Sequence, residues 1–100
     1  MRYAFHPEAR LEYRKTAIFY EARRSGLGAI VTREIESAIE RILAAPEQFP
    51  FIEQDVRRCL AHVFPYGVLY TIEPDFILII AVAHASRRPG YWQARTPRDT

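Results

Sequence analysis

The chain has 100 residues and a mass of 11.7 kDa; 49% of its residues are hydrophobic, 26% are charged, and the formal net charge is +2. This is the size of one domain that can bury about two thirds of its unfolded surface, and the balance excludes wholesale disorder. No apolar run reaches the roughly 18 residues of a membrane span, and a single cysteine, Cys59, excludes an internal disulfide or a cysteine-cluster zinc site.

In chain order, the opening MRYAFHPEAR has no apolar core of a secretory signal, so the reducing cytoplasm is the expected location. Residues 2–5 form a short extended run with Tyr3 and Phe5 on one face. Pro7 suits the first position of a helix, and Glu8 meets the positive end of its dipole. From Pro7 to Arg24 no further Pro or Gly interrupts a stretch rich in Glu, Ala and Arg, which predicts a helix. Leu11, Ile18 and Ala22 fall on one side of it as the expected core stripe, with Tyr13 and Tyr20 near its edges. Gly26 is the expected left-handed cap.

A second helix follows at once. Leu27, Ile30, Val31, Ile35, Ala38, Ile39, Ile42 and Leu43 step by three and four residues, and Pro46 stops the pattern. The short joint at Ser25-Gly26 makes the two helices an antiparallel hairpin. The segment from Pro46 to Asp55, with two prolines and two phenylalanines, is expected to be a loop pinned by its aromatic side chains.

After the loop the period changes from 3.6 to 2. Strands are expected over 56–63, 68–73 and 76–83, with turns at Pro65-Tyr66-Gly67 and at Glu73-Pro74-Asp75. FILIIAVA, residues 76–83, is apolar on both faces and reads as a strand buried on each side. Three strands joined by tight turns form an antiparallel meander. From His84 to Arg95 the text is polar and basic, and Thr96 to Thr100 reads as a frayed tail.

The expected fold is therefore a single α+β domain over residues 1–100, two-layered and in βααβββ order. An antiparallel meander plus the N-terminal strand carries the helix hairpin on one face, and the opposite face is left concave and partly open. Charge follows this division. Residues 1–55 carry net −1 and residues 56–100 net +3, and the basic groups are thirteen arginines against Lys15 alone. An arginine fork suits phosphate or carboxylate, although a coding bias also enriches it.

The order and the motifs together resemble the RelE/ParE superfamily, the toxins of bacterial type II toxin–antitoxin systems, also called plasmid stabilisation proteins. The resemblance is carried by Phe5-His6-Pro7-Glu8-Ala9 and Gly26-Leu27-Gly28, by Phe64-Pro65-Tyr66 with Tyr70-Thr71-Ile72, by Ile80 to His84, and by Arg87 to Trp92. It spans about residues 3–95. It implies a growth inhibitor held inactive by a cognate antitoxin, without a cofactor and without a membrane. Members act either by binding DNA gyrase, as ParE-like toxins do, or by cutting mRNA at the ribosome without a metal, as RelE-like toxins do.

Metal-independent RNA cleavage needs an acid, a base and a group that stabilises the phosphorane. His84, Arg87 and Tyr91 are the catalytic candidates if the protein is a nuclease. Arg57, Arg58, His62, Arg88, Trp92 and Arg95 are candidates for binding. Arg57 and Arg58 alternate along one strand, so only one of them can share the site's face. Arginine is a poor acid or base, because its pKa stays above ~12. The single lysine lies in the first helix, which moves the reading towards ParE-like action by binding. The RelE-like nuclease stands as the alternative, and an inactive module that binds an antitoxin or nucleic acid as the third reading.

His6, His62 and His84 lack metal-ligand spacing. Gly26-x-Gly28 joins two helices with no strand before it, unlike a nucleotide-binding turn. An acidic, partly disordered antitoxin segment is expected in the groove beside the hairpin or along a sheet edge near the last strand, neutralising Arg87 and Arg88.

Overall fold

The computed structural model describes residues 1–97. Its elements are β1 (Arg2–Phe5), α1 (Pro7–Arg23), α2 (Leu27–Ala44), β2 (Phe51–Glu53), β3 (Val56–Leu60), β4 (Tyr66–Ile72) and β5 (Phe76–His84), followed by a 3-10 turn at Gln93–Arg95. The sheet order is β1-β5-β4-β3-β2. β1 runs parallel to β5, and every other neighbouring pair is antiparallel. The α+β class, the helix hairpin and the meander stand as the sequence predicts, with one strand more: the order is βααββββ.

The helix ends follow local chemistry. His6 Nδ1 accepts the Glu8 backbone N–H at 3.1 Å, and Pro7 begins α1. Gly26 takes the expected left-handed conformation at φ 90°, but it begins α2 rather than ending α1, whose cap is Arg24. As the cap of α2, Gly26 has no side chain to offer, and the Glu21 carboxylate of α1 accepts the Gly26 and Gly28 N–H groups at 3.1 Å instead. A Cβ at Gly28 would lie 2.7 Å from the Ala17 carbonyl oxygen, so glycine there lets the two helices cross closely.

α2 buries Val31, Ile35, Ala38, Ile39 and Ile42, as its period predicts, while Ile30 faces outward. In α1 the stripe is different from the expected one. Ala9 and Thr16 are its buried residues, Tyr13 and Tyr20 pack beside them, and Leu11 and Ile18 face solvent at 44% and 68% exposure. The rings decide the rotation. Tyr13 stacks on Phe5 and donates its hydroxyl to Glu36; Tyr20 meets Phe64 and Tyr66 edge-on. A tyrosine buries more area than an aliphatic side chain while its hydroxyl keeps a polar partner.

The segment expected to be a loop contains β2, three residues that pair with β3. So short a strand shows no alternation, and it is bounded by Pro50 and by Gln54 at φ 49°. Phe49 packs against the core but Phe51 is 56% exposed, so one phenylalanine pins the segment. β3 ends at Leu60 rather than at residue 63, and Tyr66 and Gly67, expected in a turn, already belong to β4.

β5 lies between β1 and β4 as the expected interior strand. The sheet edges therefore belong to β1 and β2. A bulge opposite Leu69 and Tyr70 switches the faces of β5: Ile77, Ile79 and Val82 join the helix-side core, whereas Ile80 and Ala81 lie in the core of the opposite face. That opposite core also holds Val56, Leu69 and Trp92. The face expected to be partly open is covered in part by the C-terminal segment. Thr96, expected in a frayed tail, is buried and bonds the Gln93 carbonyl; residues 98–100 of that expected tail lie outside the described residues. Among the described residues no helix is long and apolar enough to cross a membrane.

Candidate functional site

The uncovered part of the opposite face forms a cleft of about 510 Å³. Its floor comes from β3 and β4 through Leu60 and Leu69, and the segment after β5 makes its far wall. Gly67 pairs with Leu60, and a Cβ there would lie 3.0 Å from Arg58 Cδ. Glycine at this point of β4 leaves room for Arg58 to lie across the sheet.

Of the catalytic candidates, His84, Arg87 and Tyr91 all line this cleft; of the binding candidates, Arg58, Arg88 and Trp92 do. The fold brings these six together from β3, β5 and the following turn. Arg57 stays on the helix side, where it stacks over Phe51 at 3.8 Å and donates to the Glu47 and Phe49 carbonyls. Strand alternation thus delivers Arg58 alone to the cleft. His62 is exposed in the bend after β3, outside the cleft lining. Arg95 lies behind the wall rather than on it, with its side chain 14% exposed.

His84 Nδ1 accepts the Ser86 backbone N–H at 3.0 Å and sits 2.8 Å from Ser86 Oγ. A neutral ring that accepts at Nδ1 carries its proton on Nε2. Its plane stands edge-on to Tyr66 at 5.0 Å. Arg87 is half-exposed and stacks on the Tyr91 ring at 3.8 Å, so its guanidinium is pre-oriented without losing its charge to a tight pair.

The residue that organises this wall is Glu12, which the sequence reading did not single out. β1 ends opposite Ile79, where His6 N–H donates to the Ile79 carbonyl, and β5 runs on without it. Side chains take over the abandoned edge. Glu12 Oε1 accepts the Val82 N–H at 2.9 Å, and Arg95 Nη1 donates to the Ile80 carbonyl at 3.1 Å. Glu12 Oε2 then accepts the Tyr91 hydroxyl at 2.8 Å and pairs with Arg95 at 3.0 Å; Arg87 lies 4.0 Å away.

Burial, the bond donated to Glu12 and that carboxylate's charge push the Tyr91 phenol far above its ordinary range. Tyr91 is therefore neutral at physiological pH, with its proton already engaged. Burial opposes the Arg95 charge, yet the bond and charge of Glu12 raise its pKa. One signal in the sequence could have exposed Glu12: it sits at the i+3 position from Ala9 and beside Tyr13, on the small-and-aromatic stripe that faces inward.

Among the described residues no three His, Cys, Asp or Glu side chains are placed to hold a metal ion. Cys59 is buried, and burial pushes its thiol up, which makes it a core filler.

The architecture that holds this cleft is shared with a solved structure, the chromosomal ParDE TA system from P. aeruginosa, at a TM-score of 0.76. The match covers 86% of this chain and 97% of that chain at 12% identity, so what it shows is the fold. The model of the family described as ParE toxin of type II toxin-antitoxin system, parDE, matches residues 3–89, and the chain belongs to that family. Tyr91, Trp92 and Arg95 lie beyond the matched span. No curated protein matches the sequence.

Proposed function

We propose that this chain is a growth-inhibiting toxin that acts by binding, on DNA gyrase, and that a cognate antitoxin neutralises it. Family membership supports the toxin reading, and the ParDE system in the structural neighbour supports an antitoxin partner. The observation that favours binding over chemistry is the state of the polar groups at the cleft. Arg58, Arg87 and Arg88 supply charge but no proton transfer, Tyr91 has its proton engaged by Glu12, His84 has its Nδ1 taken up by Ser86, and the single lysine, Lys15, is outside the cleft lining. The antitoxin segment that fits such a surface is acidic with an apolar anchor, since the arginines line the cleft together with Leu60, Leu69 and Trp92. The cytoplasm is the compartment this reading requires.

Induced expression in bacteria tests it. Growth arrest relieved by the neighbouring gene, with filamentation and a DNA-damage response, is the expected outcome. Normal growth with soluble chain present would leave only the reading of an inactive binding module.

The placement of His84, Arg87 and Tyr91 around one cleft supports the RelE-like nuclease as a second reading. It requires rapid loss of translation with cut mRNA, abolished by Arg87→Ala or Tyr91→Ala in folded chains. Cleavage retained in both variants would remove this site from consideration.

A further inference from the structure

The segment 87–96 closes one side of the cleft, yet it adds no strand to the sheet. Among the described residues its backbone hydrogen bonds stay local: Arg87 N–H to the His84 carbonyl, Tyr91 to Arg88, Gln93 to Gly90, Arg95 to Trp92 and Thr96 to Gln93. What attaches it to the rest of the molecule is side chains. Trp92 is seated on Val56, Leu69, Ile80 and Ala81, and Gln93 bonds Glu53 on the exposed rim. The remaining tethers come from Tyr91, Arg95 and Arg87, and all but the bond that Arg95 donates to the Ile80 carbonyl converge on one carboxylate of α1.

That carboxylate is 14% exposed and spends its other oxygen on the Val82 N–H. A largely buried carboxylate with four partners is difficult to replace. Alanine leaves Val82 N–H without its acceptor, Tyr91 without its bond and Arg95 as a cation without its counter-ion. The segment's own apolar seat is small and separate from the helix-side core. A unit with few tertiary tethers and a separate seat opens locally rather than with the whole molecule.

We propose that Glu12 is the positioning residue of the cleft: it holds residues 87–96 against the sheet as one unit, and so sets Arg87 and Tyr91 on the wall. The functional meaning of this rests on the cleft being the partner surface; the positioning itself does not. When the carboxylate is lost, the segment lifts, Trp92 leaves its seat and the Ile80–Val82 edge of β5 is freed, while the hairpin and the meander stay folded.

The single tryptophan makes the test direct. In Glu12→Ala of the full chain, Trp92 emission shifts to the red and its quenching by acrylamide rises several-fold. Hydrogen exchange at Val82 and through residues 91–96 accelerates by orders of magnitude. The far-ultraviolet circular dichroism and the exchange of the α2 amides remain native. Glu12→Gln keeps an oxygen for one donor and loses the charge, so it gives a smaller rise in quenching; it decides the matter where the alanine variant does not fold.

The exchange of Arg and Glu between positions 12 and 95 does not restore shielding, because arginine cannot accept from Val82. Trp92 that stays shielded in a folded Glu12 variant overturns the proposal. So does Trp92 exposure that coincides with global unfolding, and so does shielding restored by the charge exchange. Absence of growth arrest by the wild-type chain, with these spectral changes intact, would refute the toxin reading and leave the positioning role standing.

Discussion

Tyr70 shows how one side chain ties distant parts of the chain together. It is fully buried in β4, and its hydroxyl donates to the Pro46 carbonyl at 2.6 Å, which fixes the end of the helix hairpin to the sheet. Burial pushes its phenol up to about 12, with Arg57 pulling the other way. A free tyrosine titrates near about 10. The folded pKa is thus the higher one, and the stability it represents is whole below about pH 10 and lost as pH rises towards about 12. Denaturant midpoints are expected to hold level through neutral pH and fall in that alkaline window. Tyr13 and Tyr91 shift in the same direction, so Tyr70→Phe should remove part of the fall and not all of it. An unchanged slope in Tyr70→Phe would show that this phenol is not held neutral by the fold.

At the scale of elements, α1 is the instructive case. Its aliphatic residues suggested one buried face, and its small and aromatic residues occupy another. Ile18, at 68% exposure, should therefore tolerate serine with a change within about 0.5 kcal/mol. Ile39 of α2, at 1%, should cost about 2–5 kcal/mol when cut to alanine, through lost transfer energy and the cavity left behind. Chemical denaturation of the two variants measures both values. A large loss at Ile18 would mean that the expected stripe does face the core. α2 needed only the correction at Ile30, because its other apolar residues lie on one face with little competition from rings. β2 escaped notice for another reason: three residues carry too little periodicity to distinguish a strand from a loop.

At the scale of the molecule, the sheet separates two cores. The larger one lies under the helix hairpin and contains Cys59; the smaller one lies under the C-terminal segment and contains Trp92. The two side chains therefore report on different openings. Cys59 is fully buried, with its thiol pushed up by burial, so alkylation by iodoacetamide should require unfolding of the helix-side core. Its rate in water should follow the global stability across a set of variants. Labelling at the rate of an unfolded peptide under native conditions would contradict that placement. The charge division has a spatial counterpart: Arg58, Arg87 and Arg88, all from the basic half of the chain, meet at one cleft.

Much of the fold was legible in the sequence. The hairpin, its Gly26 cap, the meander and the interior position of β5 follow from period, turn residues and caps, which are local properties of the chain. The cluster of His84, Arg87, Arg88, Tyr91 and Trp92 was legible too, because these residues are close in sequence, and strand alternation confined the choice of Arg57 or Arg58 to one of them. Tertiary structure alone decided the rest. The parallel pairing of β1 with β5, the bulge that switches the faces of β5, and the meeting of Glu12 with Tyr91 and Arg95 join residues up to about eighty positions apart. No local period encodes such contacts. The contacts of Glu12 and Arg95 form because β5 outruns β1 and its uncovered N–H and C=O groups, shut away from water, must still find partners.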